Sequence, residues 1–102
     1  MSDLVLLSAS RANISDCVAL AGQHGLGIEL MAFAFPDVLD GNWRGLLAEY
    51  RALLKPVARR TMHGPFFDMA PGSLDSRVNA LALSRFRQAI DIAAGLAVET
   101  VV

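Results

Sequence analysis

The amino-acid sequence predicts an α/β fold in which strands and helices alternate in the order β-α-β-α-β-α-β. Short apolar runs, typical of strands buried on both faces of a parallel sheet, alternate with longer amphipathic segments. Glycine or proline separates most of these segments, as expected where strands and helices end. The chain has 102 residues, which suits one domain, so we expect residues 1–102 to form a single unit.

The N-terminal quarter of the chain predicts the first strand and helix. The apolar run Leu4–Leu7 indicates a strand that continues to about Ala9. Asn13 followed by Asp16 predicts a helix start, because a short polar side chain caps free backbone N–H groups and an acid favours the positive helix end. This helix is expected to run to about His24, before Gly25.

The second unit is predicted over residues 27–56. Gly27–Phe33 reads as a strand in which Glu29 is the one charged residue, and Pro36–Gly41 as a turn region. Trp43–Leu54 has apolar residues at helical spacing and predicts a helix that Pro56 ends.

The third unit begins with the weaker strand Arg59–His63, which stands before the turn Gly64-Pro65. Asp75 is a plausible cap for a long helix that closes at Gly95, and Val98–Val102 then predicts a fourth strand. The expected buried stripe of the long helix consists of Val78, Leu81, Ala82, Phe86, Ala89, Ile90 and Ala93.

Composition narrows the function classes. Nine Lys and Arg residues against ten Asp and Glu residues give a net charge of −1, so no general attraction to nucleic acid is expected. Charged residues interrupt every apolar stretch and the N-terminus lacks a basic lead, so we expect a cytoplasmic protein without a membrane segment. Cys17 is the single cysteine and is expected to be a buried helix residue. The hydrophobic share of 54% suggests that part of the surface is covered by a partner.

Three local motifs carry a resemblance to a known superfamily. They are G-I-E-L at Gly27–Leu30, H-G-P-F at His63–Phe66, and a G-L-A segment leading to a V-V strand at Gly95–Val102. In this order and spacing the chain resembles the xylose isomerase-like TIM barrel superfamily, which includes sugar phosphate isomerases and epimerases and the endonuclease IV type of abasic-site nuclease (AP endonuclease family 2). The resemblance implies a partial (β/α)₈ TIM barrel, about half a barrel, formed by the N-terminal part of the family fold.

The resemblance implies a function for the complete protein. The chain would be the N-terminal fragment of a metal-dependent sugar or sugar-phosphate isomerase or epimerase, with a sugar or sugar phosphate as ligand. The family's divalent metal, Mn, Mg, Co or Zn, is usually held by Glu, Asp, His and Glu of the second half, so this chain alone is expected to be inactive and to hold no metal. One alternative is a fragment of an abasic-site nuclease, in which His63 matches a zinc ligand. Another is a half-barrel that self-associates through its exposed strand edges without catalysis.

The candidate site residues follow from the predicted strand ends, where such barrels place their chemistry. His63, Phe33 and Phe66 are expected to contact the substrate, although the phenylalanines could equally line the barrel mouth. Glu29 alternates with two apolar residues and is expected to face the barrel interior, where a carboxylate needs a partner. Arg59, or its neighbour Arg60, would form a structural ion pair with Glu29. No catalytic residue is assigned.

Overall fold

A computed structural model describes residues 5–65 and 72–102 of the chain. Within these residues it contains a four-stranded parallel sheet and helices, which confirms the predicted α/β class. The strands are β1 (Leu6–Ala9), β2 (Gly27–Leu30), β3 (Arg60–Met62) and β4 (Thr100–Val101). The helices are α1 (Ile14–His24), α2 (Pro36–Asp40), α3 (Trp43–Leu53) and α4 (Ser76–Gly95), with one turn of 3₁₀ helix at Ala32–Ala34.

The strands lie in the sheet in the same order as in the sequence, β1-β2-β3-β4, and all neighbours are parallel. Parallel neighbours require a crossover connection, and helices supply it between each pair of strands. Because such crossovers are almost always right-handed, consecutive crossovers in one direction place their helices on one face of the sheet.

The two faces of the sheet differ in chemistry. Ala9, Ile28, Leu30 and Met62 are each fully buried and join the buried side chains of the helices in one hydrophobic cluster. The alternate residues point to the opposite face, where a register-matched row crosses all four strands. This polar row consists of Ser8, Glu29, Thr61 and Thr100. We call this side of the sheet the open face, because no strand side chain on it is fully buried among the described residues.

The helix α4 packs through small residues. Its buried positions are Ala82, Ala89, Ile92 and Ala93, whereas Leu81 and Ile90 of the predicted stripe are 51% and 63% exposed. The hydrogen bond from Val98 N to Ala93 O, 3.0 Å long, then leads the chain towards β4. The helix therefore approaches the core on a line of alanines, rotated from the line that the larger apolar residues predict.

The segment after β2 departs from the prediction. The strand ends at Leu30 instead of Phe33, and the chain enters the 3₁₀ turn and then α2. Pro36 begins α2, where its fixed φ and missing N–H are compatible with the first helical position. The predicted turn region therefore contains a short helix.

Two of the three predicted helix-end signals are confirmed, one polar cap and one terminal glycine. The Asp75 side chain accepts a hydrogen bond of 2.9 Å from Arg77 N, which confirms the predicted cap of α4. Gly25 ends α1 with a φ of 64°, a left-handed conformation that glycine adopts without strain. Asn13 differs from the prediction, because its side chain accepts from Ser10 N at 2.7 Å and does not cap the helix.

Arg60 connects β3 to the ends of two helices. Its guanidinium donates to Leu54 O at 2.6 Å, Val57 O at 3.0 Å and Leu96 O at 2.8 Å. Leu54 and Leu96 are the C-cap residues that directly follow α3 and α4. A cation at this place satisfies free carbonyl groups and meets the negative ends of the helix dipoles. Arg60 therefore stabilises the ends of α3 and α4 beside β3.

Three further observations concern the helices. The predicted burial of Cys17 on α1 is confirmed, and its thiol is free. Arg85 of α4 donates to Asp40 Oδ1 of α2 at 2.6 Å, which ties these helices together. None of the helices in the described ranges is long and apolar enough to cross a membrane.

Candidate functional site

The carboxyl ends of the four strands meet at one edge of the sheet, and His63 lies there directly after β3. Backbone hydrogen bonds fix this segment on both sides. His63 N donates to Leu30 O and Gly64 N donates to Val102 O, each at 2.8 Å. A Cβ on Gly64 would lie 3.2 Å from Val101 Cγ1 and 3.3 Å from Val102 O, so glycine permits the close approach to β4. The turn after β3 is therefore held between two strands.

The imidazole of His63 is half-buried and contacts its own turn. Its Nδ1 lies 2.8 Å from Gly64 O. Since a carbonyl oxygen only accepts, this hydrogen bond requires the proton on Nδ1, and in the neutral ring Nε2 is then the nitrogen with the lone pair. In this tautomer Nε2, which carries the lone pair, is the atom through which an imidazole ligates a metal or accepts a hydrogen bond.

A metal site needs several ligands. Across residues 5–65 and 72–102, no group of three or more His, Cys, Asp or Glu side chains is placed to hold a metal ion. His63 alone offers one nitrogen, whereas zinc sites use three or four protein ligands. The described residues therefore do not by themselves fit a divalent metal.

The two phenylalanines of the predicted site have different outcomes. Phe33 is fully buried in the core, where its ring meets that of Tyr50 edge-on with centroids 5.4 Å apart. The early end of β2 causes this difference, because the 3₁₀ turn carries Phe33 away from the alternation of the strand. Phe33 is therefore a fully buried core residue in this structure. Phe66 lies outside the described residues.

The predicted ion pair between Glu29 and Arg59 is replaced by another. Arg59 makes a bidentate contact with Glu99, through Nε to Oε1 at 2.5 Å and Nη2 to Oε2 at 3.0 Å. The hydrogen bond to Glu99 and its charge raise the pKa of Arg59. The strand register explains why Arg59 pairs with Glu99 and not with Glu29, because Glu29 stands level with Thr61, two residues after Arg59. Arg59 therefore pairs with the chain that enters β4.

The polar row gives the open face its chemistry. Glu29 stands between Ser8 on β1 and Thr61 on β3, on strands about 4.8 Å apart. The hydroxyl of Thr61 is buried, and in the part of the chain that the structure describes it has no hydrogen-bond partner. The Glu29 carboxylate accepts hydrogen bonds, and the two hydroxyls beside it both donate and accept them. This row can therefore bind a polyhydroxylated ligand, or it can form an internal polar layer.

A groove of about 540 Å³ lies outside the sheet, where the loop after β1 meets α2 and α3. Arg11 supplies a positive charge and Asp37 and Glu49 supply negative charges at its rim. The remaining lining residues are Val38, Gly41, Asn42, Gly45 and Leu46. Sequence reasoning did not indicate this groove, because its residues come from three elements and form no motif.

Tyr50 is a buried residue to which the sequence analysis assigned no role. It is 2% exposed, and its hydroxyl has no hydrogen-bond partner within the described ranges. Burial raises the pKa of the Tyr50 phenol, with a smaller opposing effect from the positive charge of Arg11. Tyr50 is the buried residue of α3, and the sequence gives no signal for the pairing of its hydroxyl.

Comparisons with known proteins bear on the fold. No protein-family model matches the chain, and no curated protein is significantly similar to it. Among solved structures, the chain is similar to the TTHB071 protein from Thermus thermophilus, described as soaked with ZnCl2, with a TM-score of 0.75 and 24% sequence identity. The similarity covers 95% of this chain and 37% of the neighbouring one. At this identity the likeness shows the fold, a parallel α/β arrangement that forms part of a longer chain in the neighbour.

Proposed function

We propose that the chain is the N-terminal part of a (β/α)₈ barrel whose complete form is a metal-dependent sugar or sugar-phosphate isomerase or epimerase. The observation that carries the barrel is the sequential parallel order of the four strands with helices between them. A closed barrel repeats this arrangement eight times, with its helices outside and alternate strand residues inside. The open face with its polar row would then be the barrel interior.

The size of the structural neighbour supports the same proposal. Since 95% of 102 residues corresponds to 37% of that chain, the neighbour has about 260 residues. A (β/α)₈ barrel typically has roughly 250 residues. The chain thus corresponds to a little over a third of a protein of barrel size.

The enzyme class rests on the resemblance through Gly27–Leu30 and His63–Phe66, together with the position of His63. In barrels of this kind the chemistry lies at the carboxyl ends of the strands, and His63 directly follows β3. There its imidazole would bind a sugar hydroxyl or orient a group that exchanges a proton. When bound in the complete protein, the metal would polarise the carbonyl or hydroxyl next to the transferred proton.

The test uses the complete reading frame that contains this chain. The encoded protein is assayed for aldose and ketose interconversion with Mn²⁺, Mg²⁺ or Co²⁺, and again after chelation. We expect metal-dependent turnover that His63→Ala reduces and that His24→Ala, a change at an exposed helix end, leaves unchanged. Equal activity of the two variants would remove His63 from the site, and absence of turnover with every metal and sugar phosphate would remove the enzyme class.

A second candidate is the abasic-site nuclease class. The observation that favours it is the ZnCl2 soak of the structural neighbour, taken with the position of His63 directly after β3. The same protein is incubated with duplex DNA that carries one abasic site, with zinc and with chelator. Zinc-dependent cutting that His63→Ala abolishes would favour the nuclease over the isomerase, and intact DNA would exclude it.

A further inference from the structure

We infer that the groove between the loop after β1, α2 and α3 is a binding site for a small basic amino acid, a molecule with two cationic groups and one carboxylate. The inference goes beyond the proposed enzyme and does not depend on it. The groove has a volume of about 540 Å³, which suits such a ligand, since small-molecule sites commonly enclose about 300–1,000 Å³. Its lining residues lie between positions 11 and 49, well within the described part of the chain.

The groove carries two negative charges and one positive charge, on three different elements. Arg11 follows β1, Asp37 lies in the first turn of α2, and Glu49 lies on α3. Among residues 5–65 and 72–102, none of these three side chains forms an ion pair with another residue. Their charges are therefore available to a ligand, and a ligand of complementary charge carries two cations and one anion.

A buried hydroxyl lies beneath the groove. Tyr50 follows Glu49 on α3 and is 2% exposed, and its hydroxyl has no hydrogen-bond partner within the described ranges. Long side chains of a helix point back over the residue four positions earlier, which for Tyr50 is Leu46 of the groove lining. Arg11 and Glu49 are also the two charges that act on the pKa of the Tyr50 phenol. The unpaired hydroxyl is therefore directed towards the groove, where a polar group of a ligand would satisfy it.

Two glycines keep the floor of the groove open. The Asn42 side chain accepts a hydrogen bond of 3.1 Å from Gly45 N and so caps α3, which leaves its NH₂ group as a donor. A Cβ on Gly45 would lie 2.5 Å from Asn42 Nδ2, and a Cβ on Gly41 would lie 3.1 Å from Asp37 O. Side chains at these two positions would therefore displace the cap and crowd the wall that carries Asp37.

Contacts with α4 hold the wall that carries Asp37 in place. Gln88 of α4 donates to Leu39 O at 3.1 Å, and Arg85 of α4 donates to Asp40 Oδ1 at 2.6 Å. These contacts fix α2, a helix of five residues, against the longer helix. A site whose walls are already in place loses less freedom on binding, so its charges need little rearrangement to meet a ligand.

Isothermal titration calorimetry on the protein encoded by the complete reading frame tests the inference, with L-lysine as the probe. We expect saturable binding with a Kd of about 1 mM or lower. Norleucine lacks the side-chain ammonium group and cadaverine lacks the carboxylate, and both are otherwise close to lysine in shape. Each should bind about tenfold more weakly than lysine, because each leaves a charge of the groove without its partner.

Three substitutions test the roles of the groove residues. Arg11→Gln should weaken lysine binding about tenfold and leave cadaverine binding unchanged, because Arg11 pairs with the carboxylate that cadaverine lacks. Glu49→Gln should weaken the binding of both ligands. Tyr50→Phe should weaken lysine binding about threefold or more without lowering the stability of the fold. Arg51→Gln, at an exposed position of α3 outside the groove lining, is the matched control for Arg11→Gln.

Three outcomes would overturn the inference: no saturable binding of lysine, equal affinities for lysine, norleucine and cadaverine, or unchanged lysine binding by a folded Arg11→Gln variant. The comparison of the three ligands uses the wild-type protein, so it decides the question even where a variant fails to fold. None of these measurements requires turnover, so a protein that binds lysine and has no isomerase activity would contradict the enzyme proposal alone.

Discussion

Arg59 and Arg60 are adjacent arginines with opposite structural roles, and replacing each by Met gives a direct comparison. Arg60 lies on the helix face of the sheet and donates to three carbonyl oxygens, two of them at helix ends. Arg59 lies on the exposed side and contacts an exposed acid, Glu99. Methionine keeps an unbranched apolar side chain of similar length, so the substitution removes mainly the guanidinium.

The expected loss for Arg60→Met follows from the three hydrogen bonds. A hydrogen bond to a charged group contributes roughly 1.5–3 kcal/mol, and a buried acceptor left without a partner costs a similar amount. The three contacts share one side chain and water replaces part of them, so their contributions do not add in full. We expect the free energy of unfolding to fall by about 3 kcal/mol. Arg59→Met should change it far less, because exposed ion pairs contribute little.

Urea unfolding followed by circular dichroism measures both variants. The unfolding midpoint should fall clearly for Arg60→Met with an unchanged slope, and hardly move for Arg59→Met. Arg60→Lys should lie between them, since one ammonium reaches fewer carbonyls than a guanidinium. If Arg59→Met destabilises the chain as much as Arg60→Met, the stabilising role assigned to the three hydrogen bonds of Arg60 is wrong.

Three further predictions concern single positions. Tyr50→Phe should leave the unfolding free energy at pH 7 unchanged or raise it by up to about 1 kcal/mol, because the buried hydroxyl has no partner among the described residues. The raised pKa of Tyr50 also predicts that wild-type stability falls as pH rises from about 10 through that pKa, and the Phe variant should show a shallower decline in alkaline unfolding. Gly27→Ala should lower the free energy of unfolding by about 1–3 kcal/mol in thermal unfolding, because its Cβ would lie 2.9 Å from Arg59 O. Gly22→Ala, within α1, should raise it by up to about 1 kcal/mol. Equal effects of the two substitutions would contradict the crowding at residue 27. Asp75→Ala should cost about 1 kcal/mol, and an unchanged midpoint would mean that the cap does not stabilise α4.

The succession of elements could be predicted because hydrophobic period and chain breakers act locally. The helix end at Gly25 and the cap at Asp75 depend on residues close in sequence, and both are confirmed. The end of β2 could not be predicted, because Met31 and Phe33 continue an apolar pattern that suits a strand as well as the 3₁₀ turn that forms. The predicted buried stripe of α4 is confirmed at Ala82, Ala89 and Ala93. It is wrong at Leu81 and Ile90, because hydrophobicity favours these larger residues while close packing selects alanines.

The site was predictable only in part. The position of His63 at a strand end follows from the β-α order, and the structure places it there. The partner of Arg59 depends on the register of β3 against β4, which neighbouring residues in the sequence do not encode. Arg59 and Arg60 are the same amino acid at adjacent positions. Their side chains occupy opposite faces of the sheet, because successive side chains of an extended chain alternate.

The line of alanines on α4 also determines how the last strand can vary. Ala82, Ala89 and Ala93 are buried, and their small side chains allow the helix to pack closely against its neighbours. Gly95 tightens this fit, since a Cβ there would lie 3.2 Å from Leu47 Cδ2. An enlarged side chain on this line would press against the core and displace the helix. Because β4 follows α4 in the chain, such a substitution would shift β4, and with it the hydrogen bond from Gly64 N to Val102 O that holds the turn after β3.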